Sequence, residues 1–374
     1  MNAPGVRLSD DQRLAWLRLI RSDNVGPVTF RELVNHFGSA AAALDALPGL
    51  ARRGGRAIRV ASAEEAERER DAAEAIGARL VAIGEVDYPA WLRAADGAPP
   101  LITVRGEARV ITAPIVSVVG SRNASVAGRK FAMTIARGLG EAGIVVASGL
   151  ARGIDAAAHE GALATGTVAV FAGGLDRPYP AENADLAERM LAAGGAHMSE
   201  MPMGLEPRAR DFPRRNRIIS GLAIAVVIVE AAHRSGSLIT ARAAADQGRP
   251  VFAVPGSPLD PRAGGTNRLI RDGATILTEV GDILEEVQPM LGHAPPAPGA
   301  VAEGDGDAAL PDDVDDAVED DRATVVAALG KTPIEVDEII RFTALKPAVV
   351  HLVLLELDLS GRLERHPGQR VSLI

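Results

Sequence analysis

The chain contains no cysteine. Disulfides, thiolate metal sites and cysteine nucleophiles are therefore excluded at the outset, and the absence fits a reducing compartment. Lysine is nearly missing as well. Only Lys130, Lys331 and Lys346 interrupt a cationic set otherwise made of arginine. Arginine's planar fork suits phosphate, although codon bias in a GC-rich genome produces the same excess with no function attached. Aromatic residues make up 3% of 374, so the 47% hydrophobic fraction must pack mostly as Ala, Val, Leu and Ile. No long uncharged apolar run occurs, and Met1 to Leu8 holds no apolar signal core. A soluble, cytoplasmic protein with no membrane segment is the expectation. The length exceeds one ordinary core, so two or three domains are expected.

The net charge of −9 argues against a nucleic-acid partner until its distribution is considered. Ten acidic residues and no Lys or Arg fall between Pro295 and Asp321. Outside that stretch the chain is close to neutral. The same stretch is rich in Pro, Gly and Ala without periodicity, which reads as a flexible linker. Before it, short apolar runs recur, each ending in small residues: Ile115 to Val119, Ile144 to Ala147, Val168 to Phe171, Ile224 to Val229 and Val251 to Val254. Segments of helical composition separate them, with further strand candidates at Ala196 to Met201 and Ala274 to Thr278. Continuous apolar strands alternating with helices mean a parallel sheet covered on both faces. Tyr88-Pro89 and Ala98-Pro99-Pro100-Leu101 read as irregular connections. Ahead of the sheet, Leu14 to Leu47 reads as short helices broken at Asn24 to Thr29, and Ala63 to Ala75 as a charged helix. After the linker come three helices, Ala323 to Leu329, Val336 to Phe342 and Pro347 to Leu359, and a small hairpin from Leu363 to Leu373. That order suggests a winged helix. Its third helix is nearly all apolar with one histidine, His351, so it suits protein contact better than base readout.

In an open parallel sheet, ligands bind beyond the carboxyl ends of the strands. Here those ends carry Gly120-Ser121-Arg122, Ser148-Gly149 with Arg152, Gly173-Gly174, Ser235-Gly236-Ser237 and Pro255-Gly256-Ser257. Small residues let a phosphate approach the amides at helix N-termini. Tight turns alone explain the glycines but not the recurring Ser and Arg. The anion is not a dinucleotide, since Gly120-Ser121-Arg122 is not Gly-x-Gly and no ribose-gripping acid ends the second strand. No P-loop is present. Asp155 and His159 lie four apart on one helix face, but no third ligand at a convincing spacing joins them, so no metal and no cofactor are expected. The segment Arg208 to Ile219 holds five arginines, Arg208, Arg210, Arg214, Arg215 and Arg217, with Phe212 and Asn216 among them. A row of arginines can track several phosphates while a ring stacks on a base. A mononucleotide site needs one or two.

These blocks, in this order, resemble the DNA-processing protein A (DprA/Smf) family. The resemblance runs from about Tyr88 to about Ala274. It rests on Val119 to Arg122, Ser148 to Asp155 with His159, Tyr179-Pro180 with Asn183, Phe212-Pro213, Arg215 to Ile219, Ser235 to Ala241, Pro255-Gly256 and Gly265-Thr266-Asn267. Arg208 and Arg210 stand where many relatives carry lysine or an aromatic. The resemblance implies a non-enzymatic protein that binds and shields single-stranded DNA and helps load a RecA-type recombinase during natural transformation and DNA recombination. It also implies a homodimer formed through the Rossmann-like domain. The DNA-binding set it suggests is Gly120, Ser121, Arg122, Ser148, Gly149, Arg152, Gly174, Arg210, Phe212, Arg214, Arg215, Asn216, Arg217, Ser235, Gly236 and Ser237. The expected domains are a SAM/helix-hairpin-helix-like helical domain at 1–85, a Rossmann-like DNA-binding domain at 86–290, an acidic flexible linker at 291–321 and a winged-helix-like domain at 322–374. The competing reading is a Rossmann-like nucleotide hydrolase resembling phosphoribohydrolases, with Glu230 as acid or base.

Overall fold

The computed structural model describes residues 7–292, 319–366 and 368–374. Most of the expected acidic linker therefore lies outside the described residues, and its last residues, Glu319 to Asp321, open a helix instead. The chain divides into two compact units, Glu69–Ala300 with the first seven residues, and Leu8–Arg68 with Val301–Ile374. The N-terminal helices and the C-terminal domain thus belong to one unit rather than two.

The described helices are α1 (Asp10–Arg21), α2 (Pro27–Phe37), α3 (Ala40–Arg53), α4 (Ala63–Ala75), α5 (Ala90–Arg93), α6 (Ala108–Thr112), α7 (Val126–Glu141), α8 (Ile154–Ala162), α9 (Ala184–Ala192), α10 (Asp211–Leu222), α11 (Ser237–Asp246), α12 (Gly264–Arg271), α13 (Val280–Val287), α14 (Glu319–Ala328), α15 (Val336–Thr343) and α16 (Pro347–Leu359). The strands are β1 (Ala78–Ala82), β2 (Leu101–Gly106), β3 (Ile115–Val119), β4 (Val145–Ser148), β5 (Thr167–Val170), β6 (Ala196–Ser199), β7 (Ala225–Ile228), β8 (Val251–Ala253), β9 (Thr275–Ile276), β10 (Ile334–Glu335), β11 (Leu363–His366) and β12 (Arg370–Leu373).

The larger unit is built on a nine-stranded sheet of order β1-β2-β6-β5-β4-β3-β7-β8-β9. From β6 to β9 neighbouring strands run parallel. β1 and β2 add an antiparallel edge. The Rossmann-like parallel core is as the sequence implies, whereas the edge is not: β1 begins at Ala78, ahead of the expected boundary at 86, and β2 follows directly on Pro99-Pro100. The central strands β3, β4, β5 and β7 are buried along their whole length, which is why they read as unbroken apolar sequence. On one face Val116 and Val118 pack with Ile135 and Leu139 of α7 and Ala158 of α8. The intervening Ser117 points the other way and donates to the Ile219 carbonyl of α10 at 2.7 Å, so the period of two places a helix on either side of β3. The order reverses at β3, whose two neighbours, β4 and β7, lead to opposite ends of the sheet. That is the topological switch point at which such sheets bind ligands.

Two histidines are sealed inside this unit. His159 shares a hydrogen bond with the Thr167 hydroxyl at 2.7 Å, and His197 bonds the Ala187 carbonyl at 3.1 Å. His159 therefore does not join Asp155 in a shared ligand set. Burial pushes His159 down to about 3, helped by the nearby His197 and Arg215, and it pushes His197 down to about 4. Both are neutral in the fold, while the unfolded chain takes up protons at their ordinary value of about 6.5. Stability is thus expected to be flat with respect to these groups above pH 6.5. It should fall as pH drops from there toward 4 and then 3, by up to about 1.4 kcal/mol per pH unit for each histidine. Urea unfolding of the wild type at pH 7.0 and at roughly pH 5 measures this. His197→Gln should flatten the slope, and an unchanged slope in that variant would remove the assignment.

The smaller unit joins α1 to α3 with a three-stranded wing of order β10-β12-β11 and helices α14 to α16. α1 opens with a capping box at Ser9 and Gln12. α2 begins with Pro27 and ends on the left-handed Gly38. α16 is buried on nearly every side, with Pro347, Ala348 and His351 exposed. Its Glu356 accepts from Arg53 of α3 at 2.7 Å and takes a bidentate pair from Arg322 of α14 at 2.8 and 3.1 Å. Around its end, Asn24 donates to the Leu359 carbonyl at 2.7 Å and Thr29 to the Asp358 carboxylate at 2.9 Å. Arg365 bridges Asp358 and Glu32. The helix that a DNA-reading winged helix would lay in the major groove is here an internal packing element, and its partners are the N-terminal helices of the same chain.

Candidate nucleic-acid interface

The loops at the switch point enclose a groove of about 570 Å³. The β3 loop contributes Gly120 to Asn123, the start of α10 contributes Phe212, Pro213, Arg215 and Asn216, and the β7 loop contributes Ala232 and Arg234 to Ser237. Local sequence explains each wall. Ser125 caps α7 by accepting from the Gly128 amide at 2.9 Å. Glu230 holds that turn by accepting from the Ser125 amide at 2.9 Å and its hydroxyl at 2.5 Å. The next loop runs over Gly153, whose φ of 79° lies in the left-handed region and where a Cβ would sit 2.3 Å from the Ser121 carbonyl oxygen. Only glycine permits that approach. Ser235 and Ser237 share a hydroxyl hydrogen bond of 2.8 Å at the entrance to α11.

The mouth of the groove is cationic and aromatic. The guanidinium of Arg122 lies 5.0 Å from the Phe212 ring centroid, and the exposed Tyr179 ring lies 5.6 Å from it. Arg122 and Arg234 are exposed and have no acidic partner among the described residues. Two such arginines beside a half-buried ring can hold a phosphate and offer a face to a base.

Nine of the residues singled out from sequence meet here: Gly120, Ser121, Arg122, Phe212, Arg215, Asn216, Ser235, Gly236 and Ser237. The others stand elsewhere. Ser148 is buried and donates to the Val118 carbonyl at 2.6 Å. Gly149 and Gly174 are buried in turns. Arg152 faces Glu182 at 3.4 Å, Arg210 faces Asp211 at 3.9 Å and Arg214 faces Glu200 at 3.9 Å, all three on the surface. Arg217 donates to Glu200 and to the Gly97 carbonyl. Arg234, Asn123 and Thr240 line the groove but were not in the DNA-binding set drawn from the sequence. Arg234 carries the signal that was used for Arg122, an arginine within two residues of a strand-end glycine. Glu230, the acid of the hydrolase reading, spends both carboxylate oxygens on the start of α7 and does not line this groove.

Taken together, the fold and the site define a Rossmann-like domain with an arginine-rimmed groove at its switch point, and a second unit of helices and a winged helix. The chain belongs to the DNA recombination-mediator protein A family, whose model matches residues 79–288. A DprA-like N-terminal HHH domain matches 10–72 and a DprA winged helix domain matches 308–369. Protein Smf of Escherichia coli K12 is 39% identical over 290 residues, covering 76% of this chain and 75% of that protein. The DNA processing protein A structure from Streptococcus pneumoniae superposes with a TM-score of 0.57 at 33% identity, covering 75% of this chain and 93% of that one. The Helicobacter pylori DNA processing protein A structure, described for its single-stranded DNA binding mode, gives 0.51 at 27% identity, covering 54% and 94%. No helix among the described residues is long and apolar enough to cross a membrane.

Proposed function

We propose that this protein binds single-stranded DNA in the switch-point groove, shields it, and hands it to a RecA-type recombinase in the cytoplasm during natural transformation. The observation that carries the reading is Arg122, exposed, free of any acidic partner among the described residues and set over Phe212 at the mouth of the groove. The solved relative from Helicobacter pylori supports it. A single strand can offer a splayed base to the ring and its phosphate to the loop amides. A stacked duplex cannot, because its bases are already buried against one another. The protein acts as a homodimer through the Rossmann-like domain and carries out no turnover. Glu230 accepts from the Ser125 amide and hydroxyl at the start of α7 and stands outside this groove, which favours DNA binding over the hydrolase reading.

Competition measures this directly. A labelled single-stranded oligonucleotide bound to the protein should be displaced by unlabelled single strand at far lower concentration than by duplex of the same sequence. Free nucleoside monophosphate at millimolar concentration should leave it bound. Displacement by the monophosphate, or release of base or phosphate from it, would instead favour the enzyme.

A further inference from the structure

Arg215 looks in sequence like one more phosphate ligand, but the structure gives it other work. It is 4% exposed. Its Nη1 donates to the Val170 carbonyl at the end of β5 at 3.3 Å. The guanidinium lies where a side chain on Gly149 would begin, since a Cβ there would sit 1.4 Å from Nη1. The glycine after β4 is thus required by Arg215 and not by a ligand. Burial pulls Arg215 down to about 10, opposed by the charge of Asp155 and reinforced by Arg122.

Asp155, at the start of α8, is the counterpart. It is 5% exposed and faces the same groove from below. One oxygen, Oδ2, accepts from the Gly149 amide at 3.2 Å and the Ala151 amide at 3.4 Å. Those two amides flank Leu150, whose φ of 58° is left-handed, a conformation that a branched side chain rarely adopts. Beside it the Ile154 amide donates to the Ser121 carbonyl at 3.2 Å, which ties the β3 loop to the same helix start. Burial raises its pKa and the Arg215 charge restrains it.

We infer that Asp155 and Arg215 form a buried keystone that sets the β3, β4 and β5 loops against one another, and that both are positioning residues for single-stranded DNA rather than contacts to it. The inference rests on the groove being the DNA site. The pair places a negative and a positive charge behind the loops, so the floor carries no net charge and the phosphates are left to the rim arginines and the loop amides. Strain at Leu150 is held by the carboxylate, and the space for the guanidinium is held open by Gly149.

The salt dependence of binding separates a positioning residue from a phosphate contact. Losing a phosphate-neutralising cation lowers the slope of log K against log[salt] by about 0.7 on single strands, whereas disordering neutral amides lowers affinity at every salt concentration and leaves the slope alone. The test titrates full-length wild type, Arg122→Ala, Arg215→Met, Asp155→Ala and Asp155→Asn with a labelled oligo-dT across a salt series, with a thermal melt of each. Arg122→Ala should lose slope. Arg215→Met and Asp155→Ala should bind on the order of tenfold more weakly with the wild-type slope, in line with the loss of well-aligned hydrogen bonds. Asp155→Asn, which keeps an acceptor oxygen, should recover most of the affinity. A residue that only stabilises the fold would lower the melting temperature and leave the affinity of the folded protein unchanged, which overturns the inference. So does a slope loss in Arg215→Met equal to that of Arg122→Ala. If Arg215→Met does not fold, the two aspartate variants carry the same outcomes. Absence of single-strand binding by the wild type, or a wild-type slope in Arg122→Ala, counts against the groove itself and not against the keystone.

Discussion

Arg122→Ala should weaken single-stranded DNA binding by at least tenfold at low salt, the loss of about 1.5–3 kcal/mol that a charge-assisted hydrogen bond contributes. The side chain is exposed, has no acidic partner among the described residues and lies 5.0 Å from the Phe212 centroid. Its side-chain contact with the Phe212 ring lies at the surface, so the melting temperature should hardly move. The two consequences separate cleanly: affinity and salt slope fall together while stability holds. Arg122→Lys should recover the slope but not all of the affinity, because an ammonium keeps the charge and lacks the planar fork. Fluorescence anisotropy over a salt series reads both. An Arg122→Ala protein that binds as the wild type does would leave the groove without its main cationic contact.

The second large effect is on stability. Glu356→Ala should destabilise the helical and winged-helix unit by about 3–5 kcal/mol, the range for breaking a buried ion pair by removing one partner. Glu356 is 1% exposed and accepts from Arg53 and from two nitrogens of the largely buried Arg322. Its removal takes two hydrogen bonds from Arg322, whose side chain is only 14% exposed. The Arg53 side chain is 40% exposed and water can recover it, so Arg53→Ala should cost far less, on the order of 1 kcal/mol or below. Urea denaturation of the three proteins in a Trp91→Phe background, followed by the fluorescence of Trp16 in α1, distinguishes them. Equal losses for the two variants would show that the pairs are exchangeable with solvent and that α16 is held by apolar packing alone. DNA binding at the groove should survive Glu356→Ala under conditions where the protein remains folded.

Sequence alone was enough for most of the architecture, for a physical reason. Strands β3 to β9 lie in the parallel part of the sheet, and those buried on both faces have no polar residue to interrupt the apolar run. β1 and β2 sit at an antiparallel edge and lie around Tyr88-Pro89 and Pro99-Pro100, so turn chemistry outweighed strand pattern. The winged helix was legible from its order of elements. The unusual apolarity of Pro347 to Leu359 also foretold protein contact, but not that the contact would be the N-terminal helices of the same chain, which are some 300 residues away in sequence.

The arginine block shows where residue counting fails. Five arginines between Arg208 and Arg217 read as a track for phosphates. Once the segment is a helix, spacing decides their fate. Arg215 shares the face of Ile218, Ile219 and Leu222, three, four and seven residues on, and is buried with them. Arg214 points out toward Glu200 and Arg217 is taken by the same carboxylate. Arg208 and Arg210 precede the helix and stay exposed. The 3.6-residue period was available in the sequence and would have separated Arg215 from its neighbours. The partner Glu200 was not, because it follows β6, whereas the arginines lie on α10.

The central claim is that single-stranded DNA lies in the groove between the β3 and β7 loops. Photocrosslinking of an oligonucleotide carrying 4-thiothymidine, followed by peptide mapping, tests it most directly. Crosslinks should fall on peptides containing Gly120 to Asn123, Phe212 to Asn216 and Ala232 to Ser237, and should fade as salt rises. Crosslinks confined to residues 8–68 or 319–374, with these three segments unmarked, would contradict the claim and move the DNA to the other unit of the chain.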